Sequence, residues 1–304
     1  MTRRGWILFL AQGVIWGIPY LLIKEAVESI EPAAVVAGRT GIAALILLPF
    51  ALRRGVLRPV LTRWPMVLLF TAIEMGGPFL LLADAETVLP SGLTGLLVST
   101  VPLFGMFVAF ATGDRTVFQV TRVLGLLIGL AGVALILSSD HGDGVVRAWN
   151  VIEVLLVAGG YALAPFIAHH RLGDLPGLGL ATVSLAFVGI AYLPAALLLQ
   201  DHWPTAQSSA ALGALALICT AIAFVTFFAL IDEVGPARST LITYVNPVIA
   251  LFLGVVLLDE SLSLGLVLGF PIVLIGCWMA ASHRDDQVVV VPEATPVVPT
   301  TDSP

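Results

Sequence analysis

The chain has 304 residues, 59% of them hydrophobic and 11% charged, with a mean hydropathy of +1.03; a soluble domain carries roughly 45–50% apolar and about 25% charged residues. That composition excludes a soluble enzyme and implies an integral membrane protein, with room for about ten helices of ~20 residues across a hydrocarbon core ~30 Å thick. The net charge of −6, from 14 Lys+Arg against 20 Asp+Glu, comes with no basic stretch able to follow a phosphate backbone, which excludes nucleic acid as a partner.

Apolar runs predict an all-α integral membrane fold of ten transmembrane helices, at 5–24, 33–53, 64–84, 91–112, 120–138, 149–169, 177–199, 209–231, 237–258 and 262–282. The first run, MTRRGWILFLAQGVIWG, has the arginines and apolar core of a secretory signal. It continues through Ile18 to Ile23 without a small-x-small cleavage site, so it reads as a retained span. Cys219 and Cys277 fall inside apolar segments and behave as small hydrophobes. Beyond the last span, residues 284–304 are rich in valine and proline without a helical period and read as a disordered cytoplasmic tail.

Positive charge sets the expected orientation, because Lys and Arg in short loops stay cytoplasmic. With the amino terminus inside, the inner loops hold Arg3, Arg4, Arg53, Arg54, Arg58, Arg63, Arg115, Arg122, Arg171, Arg238 and Arg284, and the outer loops hold only Arg147. Ten spans then return the carboxyl terminus to the cytoplasm. No presequence and compact loops suggest a plasma membrane of the bacterial inner type.

An offset of 145 residues aligns Pro49 with Pro194, Pro102 with Pro247 and Asp114 with Asp259; Gly125 and Gly132 fall on Gly269 and Gly276 with a one-residue slip. Proline and glycine are hard to replace in a helix, so the coincidence is informative. It divides the chain into a first five-helix repeat, 1–142, and a second, 143–283. Five is odd, so the two must lie in the membrane with opposite topology, as in alternating-access carriers.

Gln12, Trp16, Tyr20 and Lys24 recur at steps of four along helix one, and Val157, Tyr161, Pro165 and His169 take the matching ladder in helix six. Polar groups at membrane depth cost several kcal/mol if unpaired, so this face points into the bundle; alternatively, Lys24 snorkels to the surface. Glu74 lies near the middle of helix three, where a charged acid costs roughly 2.5–3.5 kcal/mol. It either lines a central pathway, binding a proton or an amine while Arg39 attracts a carboxylate, or forms a packing pair with Arg39. Asp84 and Glu153 sit nearer the outer edge. Pro102 follows Ser99 and Thr100, and Pro247 follows Tyr244 and Asn246, so both prolines are candidate helix breaks or gates. The glycines of helices five and ten fit close helix approach, as scaffold or as a subunit contact.

Catalysis finds little support. His141, His169, His170, His202 and His283 lack a metal-type helical partner, and Gly142-Asp143-Gly144 is a turn rather than a phosphate cradle. No metal, cofactor or nucleotide site is expected.

The stretch Val234-Gly235-Pro236-Ala237-Arg238-Ser239-Thr240-Leu241-Ile242-Thr243-Tyr244, with Asn246-Pro247 and GVVLLDESLSLGLVLGFPIVLIG, resembles the second repeat of the drug/metabolite transporter superfamily, specifically its EamA-like ten-helix members. Trp16-Gly17, Arg39 and Pro102 carry a weaker first-repeat match, and the likeness spans about residues 6–282. Gly113-Asp114-Arg115 departs from the acidic Gly-Glu usual there, keeping the charge on a shorter side chain. The resemblance implies a secondary transporter of small metabolites, an exporter of amino acids or related solutes, partnered by the lipid bilayer and by a proton, as a monomer or homodimer. Its expected substrate-binding residues are Gln12, Trp16, Tyr20, Arg39, Glu74, Ser99, Tyr161, Tyr244 and Asn246, with Glu74 the coupling candidate. A membrane-embedded enzyme or lipid-handling protein is the alternative, and a passive channel a third.

Overall fold

The computed structural model describes residues 1–139, 148–235 and 239–281, which are helical with short turns and contain no strand. The 142/143 boundary, the Gly142-Asp143-Gly144 turn, Arg147, the Pro236-Ala237-Arg238 turn, His141, His283 and the 284–304 tail lie outside the described residues. Among the described residues nine helices are long and apolar enough to span a membrane: α1 (Arg3–Val27), α2 (Pro32–Arg53), α3 (Trp64–Ala85), α4 (Ser91–Ala111), α5 (Val120–Leu137), α6 (Ala148–Leu172), α7 (Gly177–Leu199), α8 (Ala206–Val234) and α10 (Leu264–Ala281). The shorter apolar α9 (Leu241–Leu257) lies between α8 and α10 in the chain. Each overlaps its predicted span.

Local chemistry fixes the ends. Thr2 Oγ1 accepts from the Gly5 N–H at 2.9 Å at the head of α1, and Thr205 Oγ1 accepts from the Ser208 N–H at 3.1 Å at the head of α8; each satisfies a donor that the first helical turn leaves free. Gly113, at φ +91°, and Gly235, at φ +84°, turn the chain after α4 and α8 in a conformation that disfavours a Cβ.

The two candidate proline breaks are real changes of backbone. Helix α4 runs Ser91–Val98, turns at Ser99 and Thr100, and restarts at Val101–Ala111 with Pro102 in its first turn. Helix α9 is a 3-10 turn over Thr240–Tyr244 followed by a helix over Asn246–Leu257, again with Pro247 in the first turn. Proline has no N–H to give the preceding turn and is best placed where a helix begins, so the single helix expected over 237–258 is divided.

Packing pairs the elements in a regular way. Helix α5 lies against α10, α2 against α7, α1 against α8 and α9, and α6 against α3 and α4. Glycine makes the tightest seam: a Cβ on Gly125 would lie 2.5 Å from the Ala280 nitrogen, and one on Gly276 would lie 2.5 Å from Gly129 Cα. These glycines serve a contact within the chain, between two backbones. A shift of 145 in residue number carries Arg3–Val27 onto Ala148–Leu172 at both ends. Apolar side chains such as Leu45, Leu197 and Leu198 point outward, at 71%, 74% and 80% exposure, where lipid rather than water would cover them.

Candidate functional site

Helix α3 changes hand-over at its middle. Residues Ala72–Gly76 form a π-turn in which the Gly77 N–H bonds to the Ala72 carbonyl. Pro78 follows and cannot donate to the Glu74 carbonyl four residues back, which favours the wider turn. Glu74 sits on that turn, half-buried, and its Oε2 is buried with no hydrogen-bond partner among the described residues. Two neighbours close on the same turn. Tyr192 of α7 donates its hydroxyl to the Gly76 carbonyl at 3.0 Å. Gly160 of α6 passes so near that an added Cβ would meet the Ile73 carbonyl at 2.7 Å.

Another π-turn spans Leu217–Ile222 of α8, the place that Ala72–Gly76 reaches under the 145-residue shift. Thr220, on this turn, donates to the Leu215 carbonyl at 2.9 Å and accepts from Arg39 Nε at 2.9 Å. Arg39 is buried, and its guanidinium carbon stands 3.9 Å from the centroid of the Phe79 ring. The guanidinium is thus held by a hydroxyl and an aromatic face. Arg39 and Glu74 form no ion pair within 4 Å, so the packing pair considered from the sequence is not what holds Arg39.

Four of the expected residues converge here. Tyr161 of α6 is within electrostatic reach of both Glu74 and Arg39, and Tyr20 of α1 is within reach of Arg39 and Tyr161. A carboxylate, a guanidinium and two phenols from four helices therefore share one region of the bundle, able to meet a small solute carrying both charges.

A second group lies along α1, α8 and α9. Gln12 is fully buried and accepts from Thr226 Oγ1, and its Nε2 has no hydrogen-bond partner among the described residues. Trp16 packs on Phe227 with ring centroids 4.6 Å apart. The Asn246 amide faces the carbonyls of Ile242 and Gly13, and with its nitrogen turned toward these two acceptors it donates to them at 2.9 and 3.1 Å. Gly13 and Gly17 admit this approach, since a Cβ on Gly13 would lie 2.8 Å from Val245 Cγ1.

Ser99 and Tyr244 are not brought to either group. Ser99 donates to the Leu96 carbonyl at 2.6 Å, and Thr100 to the Leu97 carbonyl at 2.6 Å, so these hydroxyls satisfy the backbone at the α4 break. Tyr244 donates to the Cys277 carbonyl on α10 at 3.3 Å. Lys24 does more than snorkel: its Nζ donates to the carbonyls of Glu86 at 2.7 Å and Leu89 at 3.0 Å. Glu153 accepts from Asn150 Nδ2 at 2.9 Å at the head of α6.

Several partners were not singled out by sequence reasoning: Thr220 and Phe79 around Arg39, Thr226 and Phe227 along α1, and the acids Glu86 and Glu260. A carboxylate in the short turn 86–90 between two apolar spans is a signal for Glu86. Burial holds that carboxyl well above the usual carboxylate range; Lys24 opposes the shift and Glu260 adds to it. At the other end of the bundle Arg63 pairs with Asp174 through two bonds of 2.6 and 2.7 Å, which hold the Asp174 carboxyl below its usual range.

Ten apolar helices with ionisable groups turned inward define a polytopic membrane transporter. The chain belongs to the EamA-like transporter family, whose model matches residues 3–138 and again 148–282. It is 31% identical over 257 residues to the uncharacterized inner membrane transporter YedA of Escherichia coli (strain K12), covering 82% of this chain and 81% of that protein. A probable terminal-alkyne amino-acid exporter of Streptantibioticus cattleyicolor is 26% identical over 266 residues, covering 86% of this chain and 87% of that one. A protein of known crystal structure shares the fold with a TM-score of 0.65 at 21% identity, over 92% of this chain and 97% of the other.

Proposed function

We propose that the chain is a secondary carrier of small metabolites, exporting amino acids or related polar solutes by alternating access between two inverted five-helix halves, 1–142 and 143–283. The observation that carries this reading is Glu74: a half-buried carboxylate with an unpartnered oxygen, on a π-turn at mid-span, across from Tyr161 and in reach of the region where Arg39 is held. A lone ionised acid there is costly, so Glu74 either holds a proton or faces a cation. A cargo ammonium and a proton then compete for one carboxylate, and that competition couples outward cargo movement to inward proton movement. Arg39 attracts the cargo carboxylate, while Trp16, Tyr20 and Tyr161 give apolar walls with polar tips.

The two-half reading is supported by the separate family matches to 3–138 and 148–282 and by the coincidence, under the 145-residue shift, of two of the three π-turns among the described residues, Ala72–Gly76 and Leu217–Ile222, the third being Ala168–Leu172. The breaks at Pro102 and Pro247 are the gates in this reading, and α5 with α10 is the scaffold. The arginine bias supports a reading with both termini in the cytoplasm of a bacterial inner membrane, and the amino-acid class takes support from the relative named as an amino-acid exporter.

The test is counterflow into liposomes holding the purified chain and an unlabelled pool of amino acids and small cations, with and without a pH gradient. Saturable exchange is expected, accelerated by the gradient. In Glu74→Gln the acceleration should vanish and exchange at equal pH should weaken, because the carboxylate that takes the proton also takes the cargo ammonium. Undiminished gradient drive in that variant removes the proton role, and absence of exchange for every compound removes the amino-acid assignment.

A further inference from the structure

The turn between α3 and α4 is fastened on two sides. From α1, the Lys24 ammonium bridges the carbonyls of Glu86 and Leu89 at 2.7 and 3.0 Å. From the turn after α9, the Glu260 carboxylate accepts from the Ser91 and Gly92 N–H groups at 2.6 and 3.1 Å, capping the head of α4. Between these fastenings lies the Glu86 side chain, 0% exposed, with neither carboxyl oxygen given a hydrogen-bond partner among the described residues. Lys24 makes no ion pair with it within 4 Å. The groups facing it are Tyr20 and Lys24 from α1, Arg39 from α2 and Glu260 from the turn after α9.

We propose that Glu86 is a second proton-binding site, separate from Glu74, whose protonation keeps the α3–α4 end of the bundle closed and whose ionisation releases it. A carboxylic acid can lie buried between Lys24 and Glu260 at modest cost, whereas a carboxylate is penalised by burial and by the charge that Glu260 uses to cap α4, and the Lys24 and Arg39 cations that favour it make no ion pair with it within 4 Å. The anion must take up water, and water reaches it only if the turn lifts from α1 and from the turn after α9. Lifting also breaks the Lys24 bridge and the α4 cap, so one proton governs several contacts. The sign follows: closure is strongest at acid pH, below the ordinary carboxylate pKa of ~4.3. As pH rises from there toward the value in the closed form, the closed-to-open ratio falls about tenfold per pH unit for a single proton.

Leu89, fully buried in this turn, is the reporter position. The chain with Leu89→Cys is placed in nanodiscs and labelled with a maleimide between acid and mildly alkaline pH. Each rate is divided by that of the unfolded chain at the same pH, and the parent chain supplies the background from Cys219 and Cys277. The normalised rate should climb steeply with pH, approaching tenfold per unit, and should stay low and flat when Glu86→Gln is added, since glutamine mimics the protonated acid. An equal climb with and without Glu86→Gln, or a flat profile in both, overturns the proposal. Hydrogen exchange of residues 86–95 in the unaltered chain, corrected for intrinsic rates, tests it without any substitution: protection must fall as pH rises, and pH-independent protection overturns it.

Discussion

The seam between α5 and α10 gives a prediction whose size follows from distance alone. In Gly276→Ala the new methyl would lie 2.5 Å from Gly129 Cα and 2.7 Å from the Gly125 carbonyl, and against the Gly129 nitrogen as well. Ordinary carbon contacts lie at about 3.5–4.0 Å, so the helices must part by roughly 1 Å, a gap that forfeits a quarter to a half of each neighbouring contact's attraction. The opposing atoms are backbone and have no rotamer with which to yield. Overpacking of this kind costs about 1–3 kcal/mol. Gly105 in α4 is the control: a Cβ there meets nothing within 4 Å, and alanine in a helix is favoured over glycine by roughly 0.5–1 kcal/mol. The two variants should therefore move apparent unfolding temperature in opposite directions, as read by tryptophan fluorescence in detergent micelles. If Gly276→Ala melts at or above Gly105→Ala, the α5–α10 contact is not the backbone seam described here.

Three further outcomes test the polar interior. Arg39→Lys loses both the Nε bond to Thr220 and the flat stack on Phe79; because a lysine point charge cannot replace them, apparent cargo affinity should fall by about tenfold in counterflow, whereas Thr220→Val should have the smaller effect. Lys24→Met leaves the Glu86 and Leu89 carbonyls without their donor and should destabilise the chain by about 1–3 kcal/mol, measured as a lower midpoint of thermal aggregation. Glu260→Ala removes the carboxylate that caps α4 and should cost about 0.5–2 kcal/mol, visible as faster hydrogen exchange at Ser91 and Gly92; unchanged exchange there counts against the cap.

Much of the architecture is written in runs of apolar residues, because a bilayer imposes one length on every span and leaves few ways to satisfy a backbone inside it. The proline breaks were legible for the same reason: Pro102 and Pro247 cannot donate, and the structure restarts a helix at each. Side-chain partnership was not legible. Arg39 meets Thr220 and Phe79 rather than Glu74, and nothing in local spacing joins residue 39 to residue 220. Ser99 and Tyr244 looked available as binding groups, yet both donate to backbone carbonyls, an outcome set by which acceptors the breaks leave exposed. The π-turns escaped notice because an i→i−5 bond has no sequence period of its own. Only Pro78, just beyond Glu74, hints at the first of them.

These partnerships suggest a way to separate structural from functional polar groups in such an interior. Where a buried polar group finds a donor or acceptor, it stabilises one arrangement; where it does not, its desolvation cost is a reason for the surroundings to change. Lys24, Arg39, Thr220, Tyr192 and Asn246 all have partners on neighbouring turns or helices. Each ties two elements together across the bundle. Glu74 and Glu86 differ: among the described residues Glu74 Oε2 and both Glu86 carboxyl oxygens have no hydrogen-bond partner, the first acid at the middle of α3 and the second in the turn that follows it. A proton relieves either acid without moving anything, and its loss can be relieved only by water, by a cation or by separating the helices around it. The same bundle therefore carries fixed joints in its paired groups and two acids, Glu74 and Glu86, at which a change of charge would favour a change of shape.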